Sequence, residues 1–277
     1  MDYKNKSVLL VSKHQKERVI HPVFQEITGC DIHVSDFDTD KFGTFTGEIA
    51  RTSSAYETCI LKAKTVAKVA GYRLGLASEG SFGPHPAMPF LPSDHEIMVF
   101  FDQDNNWIIA EQLLTQKTNY NMMTIHADSD FDFFLRKVQF PSHALILQTS
   151  DKQTILGKGI NDYSTLEQLI TAGFKRDRQL ILSTDMRAMM NPTRMEILGE
   201  LAKKLATRIT QLCPECNAPG FGFKSTGGYL PCDLCRTNSN LYQHEIWGCI
   251  SCTFSENKPR QDNKQTADPG FCNYCNP

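Results

Sequence analysis

The sequence predicts an α/β protein, a mixed sheet flanked by helices over residues 1–209, followed by a small cysteine-rich module over residues 210–277. Short β-branched and apolar runs alternate with amphipathic helical patterns as far as Ile209, the order expected of an α/β layer fold. Eight of the ten cysteines fall between Cys213 and Cys275 as four Cys-x-x-Cys pairs. The segment that carries them is poor in aliphatic residues and cannot build a sufficient core of its own.

In chain order, Ser7–Lys13 reads as a first strand. Residues 14–28 read as a helix around Val19, Ile20, Val23, Phe24 and Ile27, which Pro22 should kink or break. Asp31–Ser35 alternates as a second strand, and Phe37–Glu48 is a polar loop bearing Thr44, Thr46 and Glu48. In Thr52–Ala70 the residues Ala55, Cys59, Ala63, Val66, Ala67 and Ala70 recur at helical spacing, Gly71 ends the helix, and Ser54-x-x-Glu57 matches a capping box. Leu74–Ala77 is the end of a buried strand, which delivers Ser78, Glu79, Ser81 and His85 into a turn punctuated by Gly80, Gly83, Pro84 and Pro86. Glu96–Phe101 and Trp107–Leu114 read as strands about an Asp102–Asn106 turn. A short helix at Phe131–Val138, a strand at Ala144–Gln148, a helix at Ser164–Ala172 and a strand at Leu180–Ser183 follow. Asn191 and Pro192 then cap and start a long helix with Met195, Leu198, Leu201, Ala202, Leu205 and Ile209 on its buried stripe.

Ligands of open α/β sheets sit beyond the carboxyl ends of strands. The carboxylate, hydroxyls and imidazole of Ser78, Glu79, Ser81 and His85 therefore read as a site, joined by Asp185 and Arg187 after the last strand. Arg194 lies in the first turn of the final helix, where the backbone already presents positive charge. A cation there calls for an anion. A bound phosphate or carboxylate fits, and so does an internal salt bridge, for instance to Asp185.

The pairs Cys213/Cys216, Cys232/Cys235, Cys249/Cys252 and Cys272/Cys275, separated by 15, 13 and 19 residues, read as four metal knuckles. Two thiolates per knuckle provide for two structural zinc ions in a zinc-ribbon-type module. Consecutive knuckles are expected to pair; nested and alternating pairings are also compatible with the spacing. From Cys213 onward five cations, Lys224, Arg236, Lys258, Arg260 and Lys264, face six acids, and the thiolates add negative charge, which argues against nucleic acid as a partner. The only early apolar run, Val8–Val11, is too short for a signal or membrane segment. A cytoplasmic protein with no membrane partner, able to form homo-oligomers, is expected.

The motifs GTFTGE (43–48), ASEGSFGPHP (77–86), FPSH (140–143), KGI (158–160) and DMRAMMNPTRM (185–195), with a Cys-rich tail ending CNYCNP, resemble an uncharacterised bacterial domain family over nearly the whole chain. More distantly, the order of elements is similar to the inosine-triphosphatase and Maf-like nucleoside-triphosphate pyrophosphatases. SKHQKERV (12–19), YETCILKAK (56–64), Ser78-Glu79, Phe140–His143 and Arg194 stand where those enzymes carry comparable features. This second resemblance implies a metal-dependent hydrolase acting on a nucleotide phosphoanhydride. Glu57 and Glu79 would hold Mg²⁺ or activate water. Lys13, Lys16, Lys158 and Arg194 would clamp phosphate, Phe82, Phe90 and Phe140 would sandwich a base, and His85 or His143 would give it a polar contact. A non-catalytic nucleotide sensor and a nucleic-acid-associated zinc ribbon are the alternatives.

Overall fold

The structure is a computed structural model, and it describes residues 3–35 and 53–277. The polar loop expected at Phe37–Glu48, with its GTFTGE motif, lies outside the described residues. Tyr3–Ala206 form one compact unit and Thr207–Pro277 another.

The first unit opens with strand β1 (Ser7–Val11), helix α1 (Glu17–Thr28), strand β2 (Asp31–Val34), helix α2 (Ala55–Val69) and strands β3 (Leu74–His85), β4 (Met88–Asp102) and β5 (Trp107–Thr115). They build a mixed sheet in the order β2-β1-β3-β4-β5. β1 runs parallel to both β2 and β3, and β3-β4-β5 is an antiparallel meander. α1 continues through Pro22, contrary to the expected break. The proline is exposed, while Ile20 and Phe24 on the opposite side are buried and hold both halves of the helix to the sheet. α1 ends on Gly29 in the left-handed conformation.

α2 starts on the expected capping box, with Ser54 accepting from the Glu57 amide and Glu57 accepting from the Ser54 amide. Its stripe of Cys59, Ala63 and Val66 packs on Leu9, Val11, Ala77, Ile97, Val99 and Phe101. Burying each large apolar side chain there contributes about 1.5–3 kcal/mol. Small residues on the helix let it lie close. A Cβ at Gly75 would come within 2.4 Å of the Ala63 carbonyl oxygen, so only glycine fits beneath the helix.

A second, separate sheet follows, in place of the single mixed sheet that the sequence suggested. Strands β6 (Met122–Ile125), β7 (Leu145–Thr149), β8 (Ile155–Ile160) and β9 (Leu180–Thr184), with helices α3 (Asp132–Lys137) and α4 (Tyr163–Gly173), form an antiparallel sheet in the order β6-β9-β7-β8. Its core of Ile125, Phe134, Leu145, Leu147, Leu166 and Leu182 is separate from that of the first sheet. β6 has only four residues, and β8 carries two glycines, Gly157 and Gly159, so neither shows a strong strand pattern. Helix α5 (Pro192–Thr210) leaves this sheet and crosses the boundary between the units.

The second unit contains a three-stranded antiparallel sheet of β10 (Gly222–Gly227), β11 (His244–Gly248) and β12 (Ser255–Pro259). Phe221 packs against Trp247 and Phe254, and Lys258 lies 4.0 Å over the Trp247 ring. This thin core is flanked by cysteine knuckles.

Candidate functional site

β1 ends at Val11, paired with Ala77. Beyond that point β3 has lost its parallel neighbour. The turn expected to carry Ser78, Glu79, Ser81 and His85 does not form there. Residues 78–85 continue as strand against β4, and the turn is at Pro86–Ala87. The prolines are tolerated because Pro84 pairs opposite Pro92 in the arm beyond β1 and β5, where among the described residues no third strand needs their missing amides.

The chain leaving β1 turns back over this part of β3. Lys16, 7% exposed, donates from Nζ to the Ser78 carbonyl at 3.1 Å and to Ser78 Oγ at 2.9 Å. Burial, with Arg194 nearby, lowers its pKa to about 8. Successive β3 side chains alternate between faces. Glu79 points to α2 and forms an ion pair with Lys62 at 2.5 Å. On the opposite face Glu96, directly across from Gly80, receives Arg194 Nε at 2.5 Å and Nη2 at 3.3 Å. Arg194 Nη1 donates to the Met186 carbonyl at 2.6 Å, and the Phe82 ring lies 5.0 Å from the guanidinium.

The expected Arg194–Asp185 bridge is therefore replaced by Arg194–Glu96. The Arg187 amide donates to Asp185 Oδ1, folding that carboxylate back onto its own loop, where Arg187 Nε meets Oδ1 at 3.0 Å and Nη2 meets Oδ2 at 2.5 Å. His14 stands among these groups. Burial first, then Lys16, Arg194 and Arg187, hold its pKa down at about 3, with Asp185 opposing. Ser78, Lys16, Asp185, Arg187 and Arg194 thus gather beside the end of β1 and the middle of β3, and Glu79 lies on the other face of β3, toward α2.

Other expected members lie elsewhere. Glu57 is spent on the cap, its Oε2 accepting from the Ser54 amide at 3.0 Å. His85 sits at the hairpin tip, about 20 Å along the strand from Glu79, and its Nδ1 accepts from the Ala87 amide. Ser81 is opposite His95 on β3–β4. Lys158 has an exposed side chain on β8, although the next amide, Gly159, donates to Asp185 Oδ2 at 3.1 Å. The three phenylalanines do not form a sandwich: Phe140 is in the core of the second sheet and Phe90 is 81% exposed. His143 accepts the Thr193 amide at Nε2 and caps the start of α5, and burial lowers its pKa. Sequence reasoning passed over Asp94 and Glu96. Two acids at alternate positions beside the apolar run IMVFF mark one face of a buried strand, and that was the available signal.

Gly80 ties this geometry together. A Cβ there would lie 2.5 Å from Arg194 Nη2 and 2.6 Å from Glu96 Oε1. Gly80→Ala should destabilise the protein by about 1–3 kcal/mol in urea unfolding. An unchanged midpoint would show that the ion pair does not sit over Gly80.

In the second unit, Cys213, Cys216, Cys249 and Cys252 form one group and Cys232, Cys235, Cys272 and Cys275 another, the sulfurs of each within 4.8 Å of one another. The knuckles alternate, first with third and second with fourth, which corrects the expected consecutive pairing. The β10–β11–β12 meander accounts for the first group, because Gly222 pairs with Gly248 and Gly248 with Ser255, and the knuckles lie beside these residues. A bridge between Cys232 and Ala267 brings the last knuckle to the second.

Sulfur separations are 3.8 Å for Cys213–Cys252, 3.5 Å for Cys216–Cys249, 3.9 Å for Cys232–Cys275 and 3.6 Å for Cys235–Cys272. A disulfide needs about 2.05 Å. A tetrahedron with metal–sulfur bonds of about 2.3 Å has edges of about 3.8 Å, so each group has the geometry to hold a metal ion. The amides of Ser251 and Cys252 donate to Cys249 Sγ, and Thr237 Oγ1 lies 2.9 Å from Cys235 Sγ, contacts that orient the sulfurs.

The fold and these groups define a class: an α/β protein with two four-cysteine groups, each able to hold a metal ion, in a C-terminal module. A family model described as a domain of unknown function, DUF6671, matches residues 62–277, and the chain belongs to that family. No curated protein matches the chain. The family description carries no activity, and it lends no support to the likeness to inosine-triphosphatase and Maf-like enzymes. Among the described residues no helix is long and apolar enough to cross a membrane.

Proposed function

We propose that the α/β unit binds a nucleotide-like phosphorylated molecule beside the end of β1 and the middle of β3 and hydrolyses its phosphoanhydride, and that the two four-cysteine groups hold structural zinc. A reducing cytoplasmic location suits the eight thiols. Lys16 carries the ligand reading. It is a buried cation bonded to Ser78 and, among the described residues, within ion-pair distance of no carboxylate. An anionic ligand would complete it. Arg187 and Arg194 stand close by, and this reading assigns the orienting of water to Glu79, on the α2 side of β3 beside Lys62.

The Mg²⁺ implied by the distant resemblance does not find a site among the described residues. Glu79 is paired with Lys62, and Glu57 serves the helix cap. A second reading, a sensor that binds without turnover, is favoured by the same observation, because it leaves Glu79 alone of the two carboxylates expected to be catalytic.

A panel of nucleoside di- and triphosphates, assayed for released phosphate and pyrophosphate, separates the two readings. Turnover should fall at least about a hundredfold in Glu79→Gln and persist in Glu57→Gln, which loses only part of a cap. Binding without turnover selects the sensor. Neither binding nor turnover, with Lys16→Met behaving like wild type, rejects the phosphate reading altogether.

A further inference from the structure

Two carboxylates and one guanidinium are buried together on the α5 side of the first sheet. Asp94 and Glu96 stand at alternate positions of β4, so their side chains leave the strand on the same face. They are 1% and 0% exposed, and Arg194 is 1% exposed. Arg194 gives Nε and Nη2 to Glu96 and Nη1 to the Met186 carbonyl. Its fork is committed. Asp94 Oδ1 is buried with no hydrogen-bond partner. Two ionised carboxylates sharing a dry site repel, and such pairs retain a proton. Burial first, then Glu96, push the Asp94 pKa up to about 8 against the pull of Arg194.

We propose that Asp94 is a neutral carboxylic acid hydrogen-bonded to Glu96, a positioning residue that keeps Glu96 on Arg194 and leaves the strand-end cluster one positive charge in excess for an anionic ligand. The ligand part rests on the phosphate reading given above. Among the described residues, Lys62 and Glu79, Arg187 and Asp185, and Arg194 and Glu96 cancel as pairs, so in that set the charge of Lys16 is in excess only while Asp94 is uncharged. Among the described residues, the charged groups acting on Asp94 are Glu96 from its own strand and Arg194 from α5. The flanking strands place Phe82 and Thr115 opposite it. Lys16 interacts with Arg194 and Glu96, and neutral His14 with Arg194.

Asp94→Asn keeps the shape of the neutral acid and tests the proposal on the full chain. Infrared spectra in heavy water at pH 7 should show the carbonyl stretch of a buried protonated carboxyl group, absent from the variant. The folded state keeps a proton that the unfolded chain releases above the ordinary carboxylate range. The contribution of Asp94 to stability is therefore complete at acid pH and is lost as pH rises to about 8. Relative to Asp94→Asn, the wild-type folding constant should fall by up to about tenfold per pH unit across that window. With inorganic pyrophosphate as probe, affinity should fall more steeply above pH 7 in the wild type than in the variant. No protonated band, or the same pH dependence of stability in both proteins, overturns the proposal, and equal pyrophosphate profiles overturn its charge argument. A band and a stability difference without pyrophosphate binding at any pH would uphold the neutral acid and reject the phosphate reading.

Discussion

Replacing Cys213 and Cys249 together should remove one of two bound zinc ions, whereas replacing Cys213 and Cys232 together should remove both. The difference comes from the alternating pairing. Cys213 and Cys249 belong to one group of four, while Cys213 and Cys232 belong to different groups. Consecutive pairing would reverse the two results, so metal analysis of the two double serine variants decides between them. The structural effect should be large. A thiolate zinc site supplies about 10–16 kcal/mol to the fold it closes. The Thr207–Pro277 unit has only a three-stranded sheet and a few packed aromatics to set against its chain entropy. A strong chelator should make that unit susceptible to protease while Tyr3–Ala206, which has its own cores, stays resistant. A chelated protein whose C-terminal unit remains resistant would show that metal does not hold it together.

Arg194→Met should lower stability by about 3–5 kcal/mol, a large part of the 5–15 kcal/mol typical of a domain. The substitution leaves Glu96 wholly buried beside Asp94 without its counterion. The loss is that of an uncompensated charge, not the net worth of the pair, and this makes a second variant informative. Arg194→Met combined with Glu96→Leu removes both charges and should recover most of the loss, since apolar replacement of a buried pair is often neutral or favourable. Urea unfolding at neutral pH measures both variants. A single variant within about 1 kcal/mol of wild type would mean that the pair is hydrated in solution.

The alternation of strands and helices through the first unit, the capping box at Ser54 and Glu57, and the Asn191-Pro192 start of α5 were all readable in the sequence, because each is a local pattern. So were the eight cysteines, whose spacing is itself the signal. The break expected at Pro22 was overridden by the burial of Ile20 and Phe24. The turn expected at Gly80 was overridden by the partner strand, since hydrogen bonding to β4 carries residues 78–85 onward in spite of their glycines and prolines. Glu57 shows the limit of reading a residue by type. Its carboxylate suits catalysis and capping equally, and only its hydrogen bonds to Ser54 show which use the fold makes of it.

The sequence by itself determined where the polar groups stand on their own elements: Glu79 and Ser78 after an apolar strand run, Arg194 at a helix start, and eight thiols in knuckles. Tertiary structure decided their partners. Lys62 for Glu79, Lys16 for Ser78 and Glu96 for Arg194 come from elements far apart in sequence, brought together by sheet register and strand alternation. The pairing of knuckles was decided in the same way, by the course of the chain around β10–β12 and not by the spacing of the cysteines. Local spacing fixes the orientation of a side chain on its own element, whereas its neighbour depends on how elements pack, and ion pairs and metal groups are properties of that packing.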